Sequence, residues 1–348
     1  MTEPTYRTAE ALELPFDQYQ RYATAARVVE GLGGWHGRRI LDVGGAPGFL
    51  ELFFDNAQVA VIDRFGTHGG NFVVADGAKL PFADDAFDIV ISLDTLEHIP
   101  AQFRAAFLAE CRRVAQDFVV LSAPHATEGV ALAENALQAF VTARFGEVFG
   151  TLQEHIDNGL PSIDDTRAAF SGDGWHAARL PSGYLPRWLL GMIFHHELLA
   201  SGLPALPELH RFYNERQSLN DNAEPSYRQV VVASGTRPAE ELDALVESLR
   251  SPASSADANA TIGAIGGAVL SARLSGTGRI ADLENTVSRL EAELDGAHSA
   301  VRDRDVELAQ VRAELVVAQS KAEASRYSLE RVANAAARRL RRPDTGQQ

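Results

Sequence analysis

Residues 40–50 read Ile-Leu-Asp-Val-Gly-Gly-Ala-Pro-Gly-Phe-Leu. The apolar run Ile40, Leu41 and Val43 predicts a buried strand, followed by a glycine-rich turn and a helix start. Gly44 and Gly48 carry no Cβ, so they predict a backbone against which a ligand can lie. Asp42 places a carboxylate at the strand's carboxyl end, the edge at which open α/β sheets bind ligands.

The same punctuation recurs outward from this turn. Asp63 ends the apolar run Val59 to Ile62, and Asp76 ends Phe72 to Ala75. A fourth strand, Phe87 to Leu93, closes on Asp-Thr-Leu-Glu-His at 94–98, and Phe-Val-Val-Leu-Ser-Ala at 118–123 predicts a fifth. Helices are expected at 12–32, before the first strand, and at 101–115, before the fifth. Strands alternating with helices imply a parallel, doubly wound α/β sheet. Residues 126–225 break the rhythm with helical, aromatic-rich stretches at 131–149 and 185–199, and with Leu-Pro-Ser turns at 160–162 and 180–182. Tyr227 to Ala233 then supplies one more strand.

A glycine turn of this kind also serves dinucleotides, whose fingerprint is Gly-x-Gly-x-x-Gly. Counted from Gly44, the second and third glycines are replaced by Ala46 and Phe49; counted from Gly45, by Pro47 and Leu50. The surrounding carboxylates also suit a cation better than a pyrophosphate, which needs amide donors and positive potential.

With Asp63, Asp76 and the 94–98 segment at these intervals, the sequence resembles the class I S-adenosylmethionine-dependent methyltransferases over about residues 15–235, most specifically 38–125. Leu-Pro-Phe at 80–82 and the 83–88 run match the subgroup that methylates small molecules. The resemblance implies a Rossmann-like seven-stranded sheet whose terminal strands form an antiparallel hairpin, with 126–225 as a helical insertion over the substrate end. It implies S-adenosyl-L-methionine as cofactor, with Asp42, Gly44, Gly45 and Gly48 along its methionine part and Leu93 at the fourth strand's end. Asp63 is expected on the ribose hydroxyls, and Asp76 beside the adenine amino group with Gly77 leaving backbone space. One departure stands out: many relatives have glycine where this chain has Ala46.

Methyl transfer to a hydroxyl needs in-line positioning and a base for the leaving proton. His98 is the first candidate base, with Asp94 as a contact for substrate or for the cofactor's amino group. His155, in Leu-Gln-Glu-His-Ile-Asp-Asn-Gly-Leu-Pro-Ser at 152–162, is the second; this string resembles a stretch of methyltransferases from bacterial surface-polysaccharide clusters, where Glu154 and His155 could meet a sugar hydroxyl. His125 is a third candidate. His195 and His196 point to different helical faces and do not read as ligands, and no metal site is expected. Tyr19 and Tyr22 share one face of the first helix and either close over the cofactor or simply pack.

The chain has 348 residues and a formal net charge of −15, which argues against binding to nucleic acid phosphates. From Arg279 onward the 12 basic and 12 acidic residues balance, so residues 1–278 carry the whole excess. The lone Cys111, grouped with Phe103, Phe107 and Val114 on one helical face, predicts a core thiol in a reducing cytoplasm. No run is long enough to span a bilayer. Residues 251–278, rich in Ser, Ala and Gly, predict a linker. Beyond it, Ile280, Val287, Leu294, Val301, Leu308 and Leu315 recur every seven residues, with Leu283, Leu290 and Val311 on the second seam position. That pattern predicts a coiled coil over 279–342. The expected organisation is therefore a methyltransferase domain at 1–250, the linker, and a coiled coil with a basic end (Arg326, Arg331, Arg338, Arg339, Arg341 and Arg342).

The leading expectation is O-methylation of a sugar or saccharide in cell-surface glycan biosynthesis, the coiled coil joining copies of the chain or a glycosyltransferase. Methylation of a diffusible metabolite, or an inactive scaffold, are the alternatives. The basic end suggests weak peripheral contact at the inner membrane face, although a solvated helix end accounts for it as simply.

Overall fold

The computed structural model describes residues 8–66, 70–202, 206–252 and 280–340, the last stretch with side chains at 289–319, 321 and 331. It divides into two compact units, Met1–Arg273 and Leu274–Gln348. All but the first two residues of the expected linker, Arg341 and Arg342, and the side chains of Arg326, Arg338 and Arg339 lie outside what is described.

The first unit is built on seven strands: β1 (Arg39–Val43), β2 (Gln58–Asp63), β3 (Phe72–Val74), β4 (Phe87–Leu93), β5 (Ala115–Pro124), β6 (His176–Tyr184) and β7 (Ser226–Ser234). They lie in the order β3-β2-β1-β4-β5-β7-β6. β1 to β5 are parallel, Leu41 lying between Ala60 of β2 and Val90 of β4, whereas β7 runs antiparallel to both β5 and β6. This is the Rossmann-like sheet of the methyltransferase fold, including its antiparallel terminal pair.

Alternation along the strands builds two cores. Ile40, Ile89, Ile91, Phe118, Val120, Val230 and Val232 face α2 (Phe16–Gly31) and α9 (Ala239–Leu249), packing on Tyr19, Val28, Trp35 and Leu242. Their neighbours Leu41, Val90, Val119, Leu121 and Val231 face the other way, onto Phe107, Leu108 and Cys111 of α3 (Ala101–Val114). The 126–225 region adds α4 (Glu128–Phe145), α5 (Gly150–Asn158), α6 (Ile163–Ala168), α7 (Leu185–Ala200) and α8 (Leu206–Arg216). A third apolar cluster, with Leu137, Leu185, Trp188 and Tyr213, holds these helices against Phe16 and Tyr227.

Four details differ from expectation. The Leu-Pro-Ser at 180–182 is not a turn but the middle of β6, an edge strand, where proline is tolerated because one side of the backbone needs no ladder partner. The 126–225 region therefore contains a sheet strand as well as helices. The 12–32 helix is divided at Pro15 into α1 (Ala9–Leu12) and α2. The helix start after the glycine turn is a single 3-10 turn, Phe49–Leu52, confined between left-handed Gly48 (φ +97°) and Asn56 (φ +60°). Cys111, Phe107 and Val114 are buried as expected, but Phe103 is 52% exposed.

The second unit holds one helix, α10 (Ile280–Leu340), of 61 residues. Among the described side chains, seam residues Leu290, Leu294, Val301, Leu308, Val311 and Leu315 are all at least half exposed in the single chain. No helix among the described residues is long and apolar enough to cross a membrane.

Candidate active site

The glycine turn leaves β1 at the carboxyl edge of the sheet. Gly44 holds φ +77° and donates its N–H to the Ile62 carbonyl at 2.7 Å. A Cβ on Gly44 would run into the Thr95 side chain, and one on Gly45 into the Asp42 carboxylate. Only Gly48, at φ +97°, faces open space. Gly44 thus serves close packing beneath the turn, while Gly48 leaves the room expected of both.

Asp42 is 1% exposed. Its Oδ2 has no hydrogen-bond partner. Burial, aided by Asp63 and opposed by Arg21, pushes its pKa up to about 7. An orphaned, buried carboxylate oxygen under the glycine turn is a fitting place for a cationic or N–H-bearing ligand group. At the end of β2, Asp63 accepts from the Ala46 N–H of the glycine turn through Oδ2 (3.2 Å) and from the following Phe65 N–H through Oδ1 (3.0 Å). Asp76 is exposed and accepts from the Ala78 N–H at 2.9 Å. A Cβ on Gly77 would meet the Phe107 ring at 2.8 Å and Val43 at 3.3 Å, so this glycine lets α3 approach the sheet. Leu93 is buried at the end of β4.

Asp94 follows with φ +51°, unusual for a residue with a side chain. Two arginines hold it there. Arg21 of α2 donates to its Oδ2 at 2.7 Å, and Arg228 of β7 donates through Nε (2.8 Å) and Nη2 (2.6 Å). Arg228 is 1% exposed and also grips Asp17 of α2 at 2.8 Å. Trp188 Nε1 donates to the same Asp17 oxygen at 2.7 Å. Although burial opposes it, the two guanidinium groups hold the Asp94 carboxyl well below the usual carboxylate range. Asp94 is therefore a fixed anion that positions the mouth of β4, and it has no tendency to take a proton.

A second polar cluster adjoins it. A single 3-10 turn, Leu96–His98, brings His98 next to α5. His98 Nδ1 pairs with Glu154 Oε2 at 2.7 Å, and its ring centre lies 4.9 Å from that of His155. Buried His155 pairs through Nδ1 with Glu134 Oε1 of α4 at 2.8 Å, and the Tyr227 hydroxyl donates to the same oxygen at 2.9 Å. Glu97 is also buried, and burial together with the Asp94 charge pushes its carboxyl well up. Burial and then His155 push the His98 imidazole below its ordinary value, while Glu154 opposes them. Neutral imidazole is the form that accepts a proton. Metal-type ligand atoms of Glu97, His98 and His155 all lie within 4.8 Å of one another, a grouping that their sequence spacing does not reveal.

The remaining candidates are structural. His125 is 1% exposed; Nδ1 pairs with the Ala123 carbonyl at 2.9 Å and Nε2 lies 3.4 Å from Thr166 Oγ1. His195 Nδ1 lies 3.2 Å from His210 Nε2. Tyr19 and Tyr22 are buried against Phe53, at ring-centre distances of 5.5 Å each, so packing accounts for both. Arg21, Glu97, Glu134 and Arg228 were not anticipated; the one available signal was a lone charge, Arg228, in the buried strand Tyr-Arg-Gln-Val-Val-Val.

Comparison with known proteins bears on this site. Residues 38–118 match a family described as a methyltransferase domain. An uncharacterized methyltransferase of Mycobacterium tuberculosis is 40% identical over 77 residues, covering 18% of this chain and 30% of that protein. One from Mycobacterium marinum is 40% identical over 91 residues, covering 22% and 35%. The chain thus spans about a third of the length of the curated relatives it matches. Among solved structures, magnesium protoporphyrin IX methyltransferase from Synechocystis PCC 6803 with bound SAH is similar at 17% identity and a TM-score of 0.38, covering 64% of this chain and 88% of that one. The stretch from 38 to 118, which carries the glycine turn, Asp63 and Asp94, is thus the part of the chain that is similar to a methyltransferase domain.

Proposed function

We propose that the whole chain is an S-adenosylmethionine-dependent methyltransferase acting on a hydroxyl acceptor, most economically that of a sugar or carrier-linked saccharide. The observation that carries the cofactor assignment is the unpartnered Asp42 oxygen buried beneath the glycine turn, with Asp63 at the end of the next strand. Asp42 suits the cationic methionine part, and the two oxygens of Asp63 suit two adjacent ribose hydroxyls. When bound, the cofactor supplies an electrophilic methyl group on a sulfonium sulfur.

On the acceptor side, the turn after β4 and α5 present His98 and Glu154, with His155 buried behind them. Such a face favours a hydroxyl-bearing acceptor over an aromatic one, because it offers hydrogen bonds that an apolar acceptor would leave unmade. The 152–162 string adds its resemblance to enzymes of surface-polysaccharide clusters. Joining copies, or holding a glycosyltransferase, falls in this proposal to the exposed seam of α10.

Calorimetry on the full chain tests the first claim. S-adenosylmethionine should bind at one site per chain, and Asp63→Ala should weaken binding at least tenfold, as loss of charge-assisted hydrogen bonds of about 1.5–3 kcal/mol implies. Absence of binding at millimolar cofactor refutes it. Transfer of labelled methyl into saccharide acceptors, compared with diffusible phenols and amines, tests the second; label appearing only in the latter refutes the saccharide assignment.

A further inference from the structure

Two atoms beside the acceptor face lack what their burial demands. Glu97 Oε2 and His155 Nε2 are both buried without a hydrogen-bond partner. Leaving such groups unmade is costly, and one cation would satisfy both. His98 Nε2 lies 4.0 Å from Glu97 Oε1, and each of the three residues offers a ligand atom within 4.8 Å of the other two. We propose that Glu97, His98 and His155 bind a divalent first-row transition metal, which takes the acceptor's hydroxyl oxygen as a further ligand.

The arrangement around the histidines favours a metal over a simple hydrogen-bonded trio. Each imidazole is already engaged at Nδ1 by a carboxylate, Glu154 for His98 and Glu134 for His155. A carboxylate on one ring nitrogen fixes the ring and leaves the other nitrogen for a metal, the usual outer arrangement of histidine ligands. Glu134 is itself fixed by the Tyr227 hydroxyl, so the His155 ring is held from two sides. Two imidazoles and one carboxylate suit zinc, cobalt or iron(II) rather than magnesium or calcium, which prefer all-oxygen sets. Metal–ligand bonds of about 2.0–2.2 Å require the three atoms to draw together by roughly an ångström. Side-chain adjustment at half-exposed His98 can supply that.

The site also lies where an acceptor must be. Thr95, two residues before Glu97, packs against the Gly44 turn, with Oγ1 3.3 Å from the Val43 carbonyl. His98 is the member that faces solvent, whereas Glu97 and His155 close the site from behind. A hydroxyl entering past His98 would complete the coordination. The metal lowers that hydroxyl's pKa, so its proton leaves to water. The oxygen's electron pair then forms the C–O bond as the C–S bond of the sulfonium donor breaks, leaving a neutral thioether. His98 would act as a ligand rather than as the base. This acceptor role rests on the methyltransferase proposal; the metal site itself does not.

The test uses the untagged full chain, stripped with EDTA and titrated with cobalt(II) chloride, read by visible absorption and metal stoichiometry. S-adenosylmethionine calorimetry is run on the same samples. One cobalt per chain is expected, displaced by zinc and bound at least a hundredfold more weakly by His98→Gln and by Glu97→Gln, with cofactor binding unchanged. Should those variants fail to fold by circular dichroism, exposed Glu154→Ala provides the second measure, with cobalt affinity falling about 10–100-fold. No cobalt binding while S-adenosylmethionine binds overturns the metal site alone. Equal cobalt affinity in the variants overturns it too. Cobalt binding without cofactor binding leaves the site standing and removes the methyltransferase proposal.

Discussion

A carboxyl buried with one oxygen unpartnered keeps its proton far above the pH at which it would lose it in water. Asp42 does so up to about 7, and a cation placed against it reverses the balance. S-adenosylmethionine should therefore bind more tightly as pH rises through about 7, level off above, and release a proton on binding; calorimetry at pH 6 and 8 in buffers of different ionisation heat measures both. Asp42→Asn should remove the pH dependence. His125 and His210 shift the other way, burial pushing both imidazoles down to about 4. Each folded value lies below the unfolded value of about 6.5, so the unfolded chain binds more protons in between. The stability they contribute is present above pH 6.5 and is lost as pH falls towards 4, on the order of 2–3 kcal/mol for each histidine. Urea midpoints at pH 7 and 5 should show this, with a smaller drop in His125→Gln.

At the scale of elements, the clamp of Arg228 on Asp17 and Asp94 ties α2, β4 and β7 together at the carboxyl edge of the sheet. Replacing Arg228 by methionine leaves Asp17 and Asp94 without their main cation, and should cost about 3–5 kcal/mol by denaturant unfolding. A drop of less than about 1 kcal/mol would show that the clamp is dispensable. The parallel strands were legible because Ile40–Val43, Val59–Ile62 and Phe87–Leu93 are largely apolar runs with an acidic residue at or near the carboxyl end, Asp42, Asp63 and Asp94. β6 was not: His-Ala-Ala-Arg-Leu-Pro-Ser-Gly-Tyr has no β-branched residue, and only its pairing with β7 makes it a strand. The cofactor side could be read from local spacing around Gly44, Asp63 and Asp76. On the acceptor side His98, Glu154 and His155 could be named singly, but not their meeting with Glu97 and Glu134, which are far apart in sequence and come together only when α4 and α5 fold beside the 96–98 turn. Arg228, a charge inside an apolar strand, was the one visible sign of the clamp.

For the molecule as a whole, the proposal that the long helix α10 joins copies of the chain can be tested on its apolar seam. Leu308 and Leu315 lie one heptad apart and are 50% and 55% exposed in the single chain. Leu308→Asp with Leu315→Asp should reduce the sedimentation mass to that of one chain while leaving cofactor binding intact; an unchanged mass would show that α10 does not associate through this seam. The clamp has a further consequence, in time rather than in space. The ribosome makes Asp94 and the glycine turn early, but the guanidinium that secures Asp94 belongs to residue 228, in the last strand of the sheet. A nascent chain must therefore expose an unlocked pocket until β7 has emerged. Ribosome-bound chains arrested before residue 228 has emerged should fail to retain S-adenosylmethionine, and those with residues 1–250 emerged should retain it.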